Sequence, residues 1–371
     1  MSCSRTATPP RLGLDDVLAA AARPVAPVPG QRELGGVLVD VPRVASFCTG
    51  YGGLDDAVMR VLGGELAWVA DNDPGASRII AHHHPDVPNL GDITVADWQH
   101  VLDEYGRPDI ATGGYPCQPF SGAGLRKGIE DDRHIWPHIA RALGVLRPRV
   151  AIFENVRGHL RRGFDVVLAD LAELGFDAEW CVVFASDVGA PHPRPRLIIL
   201  AVAQDADSES WIERRLAASR EAEGGRARSD ARGRGRVAAA DADRFAARRR
   251  EVSGSLAGAS GTDEGEARRR CGDAAAVDTR GELVWGKYAP AIARWEAIRG
   301  VPAPRATNDR GLLSPAFEEW MLGLEPGHVT GVPGLGRNAQ LKALGNGVVP
   351  QQAEAALRVL LARRVAAELA A

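Results

Sequence analysis

Short apolar runs and amphipathic stretches alternate along most of the chain from Val41 onward. Val41 to Phe47, Leu66 to Ala70, Asp109-Ile110-Ala111, Val150 to Phe153, Trp180 to Ala185 and Leu197 to Val202 are apolar over strand-like lengths, and the pattern predicts a strand at each. Asp55 to Val61, Ile135 to Leu146 and Asp165 to Leu174 carry helical spacing. In Ile135 to Leu146 the apolar residues Ile135, Ile139, Ala142, Leu143 and Leu146 share one face. Strands alternating with helices predict an α/β fold, a parallel sheet covered by helices. Ala289 to Arg299 reads as a later helix. The C-terminal stretch reads as another, with Leu357, Leu360, Leu361 and Val365 on one side.

Two stretches break the pattern. Residues 1–40 are rich in Pro, Ala and Arg and read as a mobile tail or a loosely docked arm. Residues 204–280 hold Arg and acidic residues in near balance among Gly, Ala and Ser. So few apolar side chains bury too little surface to offset the entropy of ordering, which predicts a low-complexity, irregular insertion. The chain therefore divides into an extension (1–40), a main domain (41–203), a region containing the insertion (204–304) and a closing segment (305–371).

Composition excludes several classes. There are five Cys and no C-x-x-C pair, which argues against a zinc site or a disulfide framework and for a reducing, cytoplasmic setting. No run is apolar for long enough to suggest a membrane span, so a soluble protein with no membrane partner is expected. His82-His83-His84 is followed by Pro85 and reads as a loop terminus; consecutive residues do not share a helix face on which to hold a metal. The net charge of -3 does not advertise nucleic-acid binding. Clustering of Arg141, Arg147, Arg149, Arg157, Arg161 and Arg162 offers a local basic surface, and Arg suits bidentate phosphate recognition.

Candidate chemistry falls where the predicted strands end, the place open α/β sheets put their ligands. Cys48-Thr49-Gly50-Tyr51-Gly52-Gly53 is a Gly-rich turn between strand and helix, suited to close approach of a ligand. Asp71-Asn72-Asp73 ends the second strand, with Asp71 placed to accept hydrogen bonds from ribose hydroxyls. Gly113 to Ser121, with Cys117 held between Pro116 and Pro119, follows the third. Glu154 follows four apolar residues, where an unpaired carboxylate is costly, and pairing with one of the neighbouring arginines would make it a structural acid.

These strings, in this order, resemble the DNA cytosine-5 methyltransferases of restriction-modification systems and phage-like elements. The likeness rests on Pro116-Cys117-Gln118, Glu154-Asn155-Val156, Arg194-x-Arg196 and Gly345-Asn346-Gly347, and covers residues 43 to about 203 and 305 to 361. It implies a Rossmann-like S-adenosylmethionine-dependent methyltransferase fold with a small target-recognition region. Implied catalytic residues are Cys117 as nucleophile, Glu154 as acid on ring nitrogen 3, Arg194 and Arg196 on the base and its phosphate, and Asn155 orienting the loop. Implied cofactor residues are Cys48, Gly50, Gly52, Gly53, Asp71, Asn72, Asp92 (for the adenine amino group), Pro116 and Asn346. Leu125 to Arg133 is implied as a loop closing over DNA. The sequence departs from the family at Cys48, usually Phe, at His192, usually Gln, at Asp71, usually Glu, and at Gly347, often Ser. The implied partners are double-stranded DNA and a cognate restriction endonuclease, with the enzyme a monomer. A transfer-RNA cytosine-5 methyltransferase shares the motifs, and an inactive DNA-binding regulator could share the fold.

Overall fold

The computed structural model describes residues 31–34, 37–116, 135–205, 207–208, 210–215, 276–277 and 283–368. Its centre is a six-stranded sheet. In chain order the strands are β3 (Arg43–Phe47), β4 (Glu65–Ala70), β5 (Ile110–Gly113), β6 (Val150–Val156), β7 (Phe176–Val183) and β8 (Arg196–Ala203), and across the sheet the order is β4-β3-β5-β6-β8-β7. Before it, β1 (Gln31–Leu34) and β2 (Val37–Asp40) pair as an antiparallel hairpin, so the end of the N-terminal extension is strand rather than loose tail.

The expectation of a parallel sheet holds for the first four strands only. β4, β3, β5 and β6 are parallel, but β8 is antiparallel to both β6 and β7. The reason is the connection. A parallel return needs a crossover of a dozen or more residues, usually with a helix. Between β7 and β8 the chain has only a short 3-10 turn (Ala185–Val188) and a proline-rich link, so it turns back beside itself.

Both faces of the sheet are covered. On one side α3 (Trp98–Tyr105), α4 (Trp136–Leu146) and α5 (Phe164–Glu173) supply Trp98, Trp136, Ile139, Leu143 and Leu171 to a core with Phe47, Trp68 and Phe153. On the other, α1 (Gly53–Leu62) and the C-terminal α9 (Pro350–Glu368) pack Leu54, Val58, Leu357 and Leu360 against Ile110, Ile152 and Ile198. Central strands buried on both faces read as continuous apolar runs, which is why they are legible in the sequence. Edge strand β7 is legible only in its second half. It begins at Phe176, after the left-handed Gly175, and its exposed Asp177 interrupts the apolar signal that placed the strand at Trp180 to Ala185.

Two further boundaries move. Residues 210–215 are helical, and Trp211 and Ile212 are buried in the second core, so the stretch expected to begin an irregular insertion continues the main domain. α2 (Pro74–His83), capped by Asp73, includes His82 and His83 rather than leaving them in a loop. A third core joins residues 285–303 to the closing segment. It gathers Trp295 of α6 (Ala289–Arg299), Trp320 of α7 (Pro315–Met321) and Leu344 of α8 (Arg337–Asn346) with Tyr51 and Ile79 of the main domain. No helix among the described residues is long and apolar enough to cross a membrane.

Candidate active site

The strand ends of β3, β5 and β6 meet around a cleft of about 340 Å³. Cys48, Gly50, Tyr51, Gly114, Glu154 and Asn346 are among its lining residues. Its floor is the Gly-rich turn between β3 and α1. Gly50 and Gly52 have φ of 60° and 83°, a region that costs glycine little, and a Cβ built on either would meet nothing within 4 Å. That open space, backed by the start of a helix, fits a ligand lying along the backbone. The turn is tied to the second strand, since Gly50 N donates to Asp71 Oδ2 at 2.8 Å. Asp71 Oδ1 accepts from Asp73 N, so the carboxylate expected to face ribose also fixes the loop itself. Asp92 accepts from Thr94 N at 2.9 Å and from the Asn72 side chain, which holds its carboxyl below the usual range. Cys48 lines the cleft with φ 51°. Burial, with the charges of Asp71 and Asp92 beside it, pushes its thiol up to about 12, so it stays neutral.

At the inner end stands Glu154. β6 runs through it to Val156, so it is a residue of the strand and not of the loop beyond. Its Oε1 lies 2.7 Å from Arg196 Nε, on β8, in a buried ion pair. Burial raises the Glu154 carboxyl and the charges of Arg196 and Arg194 lower it; burial outweighs them, leaving the carboxyl above its ordinary range. A Cβ on Gly114 would sit 3.7 Å from Glu154 Oε2, so the absence of a side chain there keeps the carboxyl open to the cleft.

Cys117 lies outside the described residues, as does the 125–133 loop, but the root of the Cys117 loop is well fixed. Tyr115 is buried against Trp136 and Phe153. Its hydroxyl is 2.9 Å from His159 Nε2, and because His159 Nδ1 donates to the Arg162 carbonyl, the hydroxyl is the donor. The Tyr115 carbonyl accepts from Asn155 Nδ2 at 3.3 Å, the kind of contact expected of a residue that orients this loop. Pro116 follows, exposed.

Arg194 NH2 donates to the carbonyls of Gly345 and Gly347 at 2.8 and 2.7 Å. The guanidinium thus braces the C-terminal motif beside Asn346, and the residue has an unusual φ of 29°. His192 donates to the Met321 carbonyl, tying the same segment to the end of α7. Sequence reasoning missed Tyr51, buried in the cleft wall, and the buried trio Ser46, Asp55 and Thr112 beneath it. The only signal for Tyr51 was a large side chain inside a glycine run.

The fold is that of the Rossmann-like S-adenosylmethionine-dependent methyltransferases. The chain belongs to the C-5 cytosine-specific DNA methylase family, which it matches over residues 42–236. It is 39% identical over 102 residues to the Type II methyltransferase M.AplI of Arthrospira platensis, covering 27% of this chain and 30% of that one. Against the Type II methyltransferase M.NgoMIV of Neisseria gonorrhoeae it is 29% identical over 161 residues, covering 42% and 50%. The matches thus span half or less of these relatives' length. Among solved structures, the S. pombe Dnmt2 methyltransferase is similar in fold, with a TM-score of 0.52 at 16% identity, over 87% of this chain and 99% of that one.

Proposed function

We propose that this protein methylates carbon 5 of cytosine within a specific double-stranded DNA sequence, using S-adenosylmethionine and a transient covalent bond from Cys117 to the flipped-out base. The observation that carries the reading is the buried Glu154–Arg196 pair at the inner end of a glycine-floored cleft, beside the fixed root of the Cys117 loop.

Cytosine carbon 5 is a weak nucleophile. Addition of the Cys117 thiolate to carbon 6, with a proton from Glu154 to ring nitrogen 3, converts the ring to an enamine whose carbon 5 can take a methyl group. A carboxyl whose hold on its proton burial has strengthened suits that transfer, and Arg196 keeps it in place. The bound cofactor supplies an electrophilic methyl on a sulfonium. Loss of the carbon 5 proton to a base then expels the thiolate, and nitrogen 3 returns its proton to Glu154. Such a target is out of reach inside a duplex, so the base is flipped. Gly50, Gly52 and Gly53 would cradle the cofactor, with Cys48, Asp71, Asn72, Asp92, Pro116 and Asn346 around it. The reading extends to a monomeric, cytoplasmic enzyme paired with a restriction endonuclease.

The test is methyl transfer from labelled cofactor to duplex DNA, followed by trapping with 5-fluorocytosine, which blocks removal of the carbon 5 proton. Wild-type protein should form a denaturant-resistant DNA adduct on Cys117. Cys117→Ala should form none and show no transfer, and Glu154→Gln should be slower by about 100- to 10,000-fold. An active Cys117→Ala variant, or an adduct on another residue, overturns the mechanism; transfer to structured RNA in preference to duplex DNA overturns the substrate.

A further inference from the structure

The wall of the cleft opposite Glu154 is made by two segments far apart in sequence, the turn at Tyr51 and the C-terminal motif at Asn346, Gly347 and Val348. Tyr51 crosses between them. Its ring is buried, and its hydroxyl donates to the Val348 carbonyl at 2.6 Å. Its own carbonyl accepts from His328 Nε2 at 2.8 Å, and the His328 ring packs edge-on against it. The ring passes through a slot formed by two glycines. A Cβ on Gly53 would lie 2.6 Å from Tyr51 Cε2, and one on Gly347 only 1.7 Å from Tyr51 Cε1. Gly347 has φ -81° and ψ -180°, a conformation open to any residue. Its lack of a side chain is therefore demanded by the Tyr51 ring and not by the backbone.

We infer that Tyr51 is a positioning residue for the cofactor: a bolt that holds the C-terminal wall of the cleft against the glycine turn, with Gly347 as the slot it needs. The inference rests on the cofactor reading proposed above. It also accounts for Gly347 at a position where the resemblance implies Ser: the two residues exchange volume, and a side chain at 347 requires a smaller one at 51. His328 extends the bolt, because the loop that carries it is fixed by Glu319, which accepts from Gly327 N, Val329 N and Thr330 N. Closure of the cleft is thus linked to α7, in the segment that follows the recognition region.

The experiment is a mutant cycle read by calorimetric binding of S-adenosylmethionine and S-adenosylhomocysteine, with thermal midpoints alongside. Gly347→Ala should weaken both ligands by about tenfold or more, since the ring or the wall must move. Tyr51→Leu combined with Gly347→Ala should recover most of that loss. Tyr51→Phe, which keeps the ring and removes only the hydroxyl, should weaken binding by roughly fivefold. It should also raise the KM for cofactor more than it lowers kcat. Wild-type affinity in Gly347→Ala, or a double variant no better than Gly347→Ala alone, overturns the inference. Should Gly347→Ala fail to fold, a folded double variant supports the bolt and an unfolded one refutes it. Wild-type protein that binds neither ligand defeats the cofactor reading, while the thermal midpoints of wild type, Tyr51→Leu, Gly347→Ala and the double variant still report whether Tyr51 and Gly347 are coupled.

Discussion

Single carboxylates in this protein are set by competition between burial and donors, and Asp55 shows the balance. It accepts from Ser46 Oγ at 3.0 Å and from Thr112 Oγ1, and both bonds favour the charged form. Burial acts against them and wins, raising the carboxyl from 3.8 to about 7. The folded state therefore holds a proton that the unfolded chain has released. Stability from this group is full below pH 3.8 and is lost as pH rises toward about 7. Asp55→Asn keeps the shape, and the two hydroxyls can rotate to meet the amide. The thermal midpoint of wild type relative to Asp55→Asn should fall between about pH 4 and about pH 7. A difference that stays constant across this range would show that Asp55 does not change its charge there. Glu154 follows the same logic with one addition, an ion-pair partner. Removing Arg196 would leave a buried carboxylate uncompensated, a loss of about 3 to 5 kcal/mol.

At the scale of elements, the site depends on strands and helices that lie far from it in sequence. Helix α9 shows this most clearly. Leu357, Leu360 and Leu361 are fully buried between α1 and the sheet, and Gln352 donates to the carbonyls of Val183 and Arg194. This helix thus supports the helix that follows the Gly-rich turn and the strand that carries Arg196. Leu360→Ala should cost about 2 to 5 kcal/mol in chemical denaturation, through lost burial and the cavity left behind. A loss below about 1 kcal/mol would mean that α9 is not part of this core. Insertion of β8 between β6 and β7 has a similar consequence. It sets Arg196 opposite Val156, one turn of the pleat from Glu154, and so makes their ion pair possible.

For the molecule as a whole, three cores meet at one cleft, and the boundary of the main domain can be tested by deletion. Removing residues 220–275 should preserve cooperative unfolding and cofactor binding, because that stretch has too few apolar residues to build a core. A deletion extended back to residue 207 removes Trp211 and Ile212 from the second core and should lower the thermal midpoint markedly. Equal midpoints for the two deletions would place the boundary at residue 203 after all. The α/β class, the central strands and the strand ends that line the cleft are legible in the order of residues alone. Burial on both faces writes a strand as an unbroken apolar run, and glycine turns and a lone carboxylate stand out against such runs. That order also holds the family, through motifs that are local strings. Which side chains meet is a property of the folded chain. Arg194 reaches Gly345 and Gly347 across some 150 residues, and Tyr51 reaches Val348 across 297. Neither contact leaves a periodic trace, because each is fixed by how two remote backbones approach. The antiparallel direction of β8 and the start of the edge strand β7 were hidden for a related reason: strand direction is set by the length of the connection, and an exposed edge tolerates charges that mask its pattern.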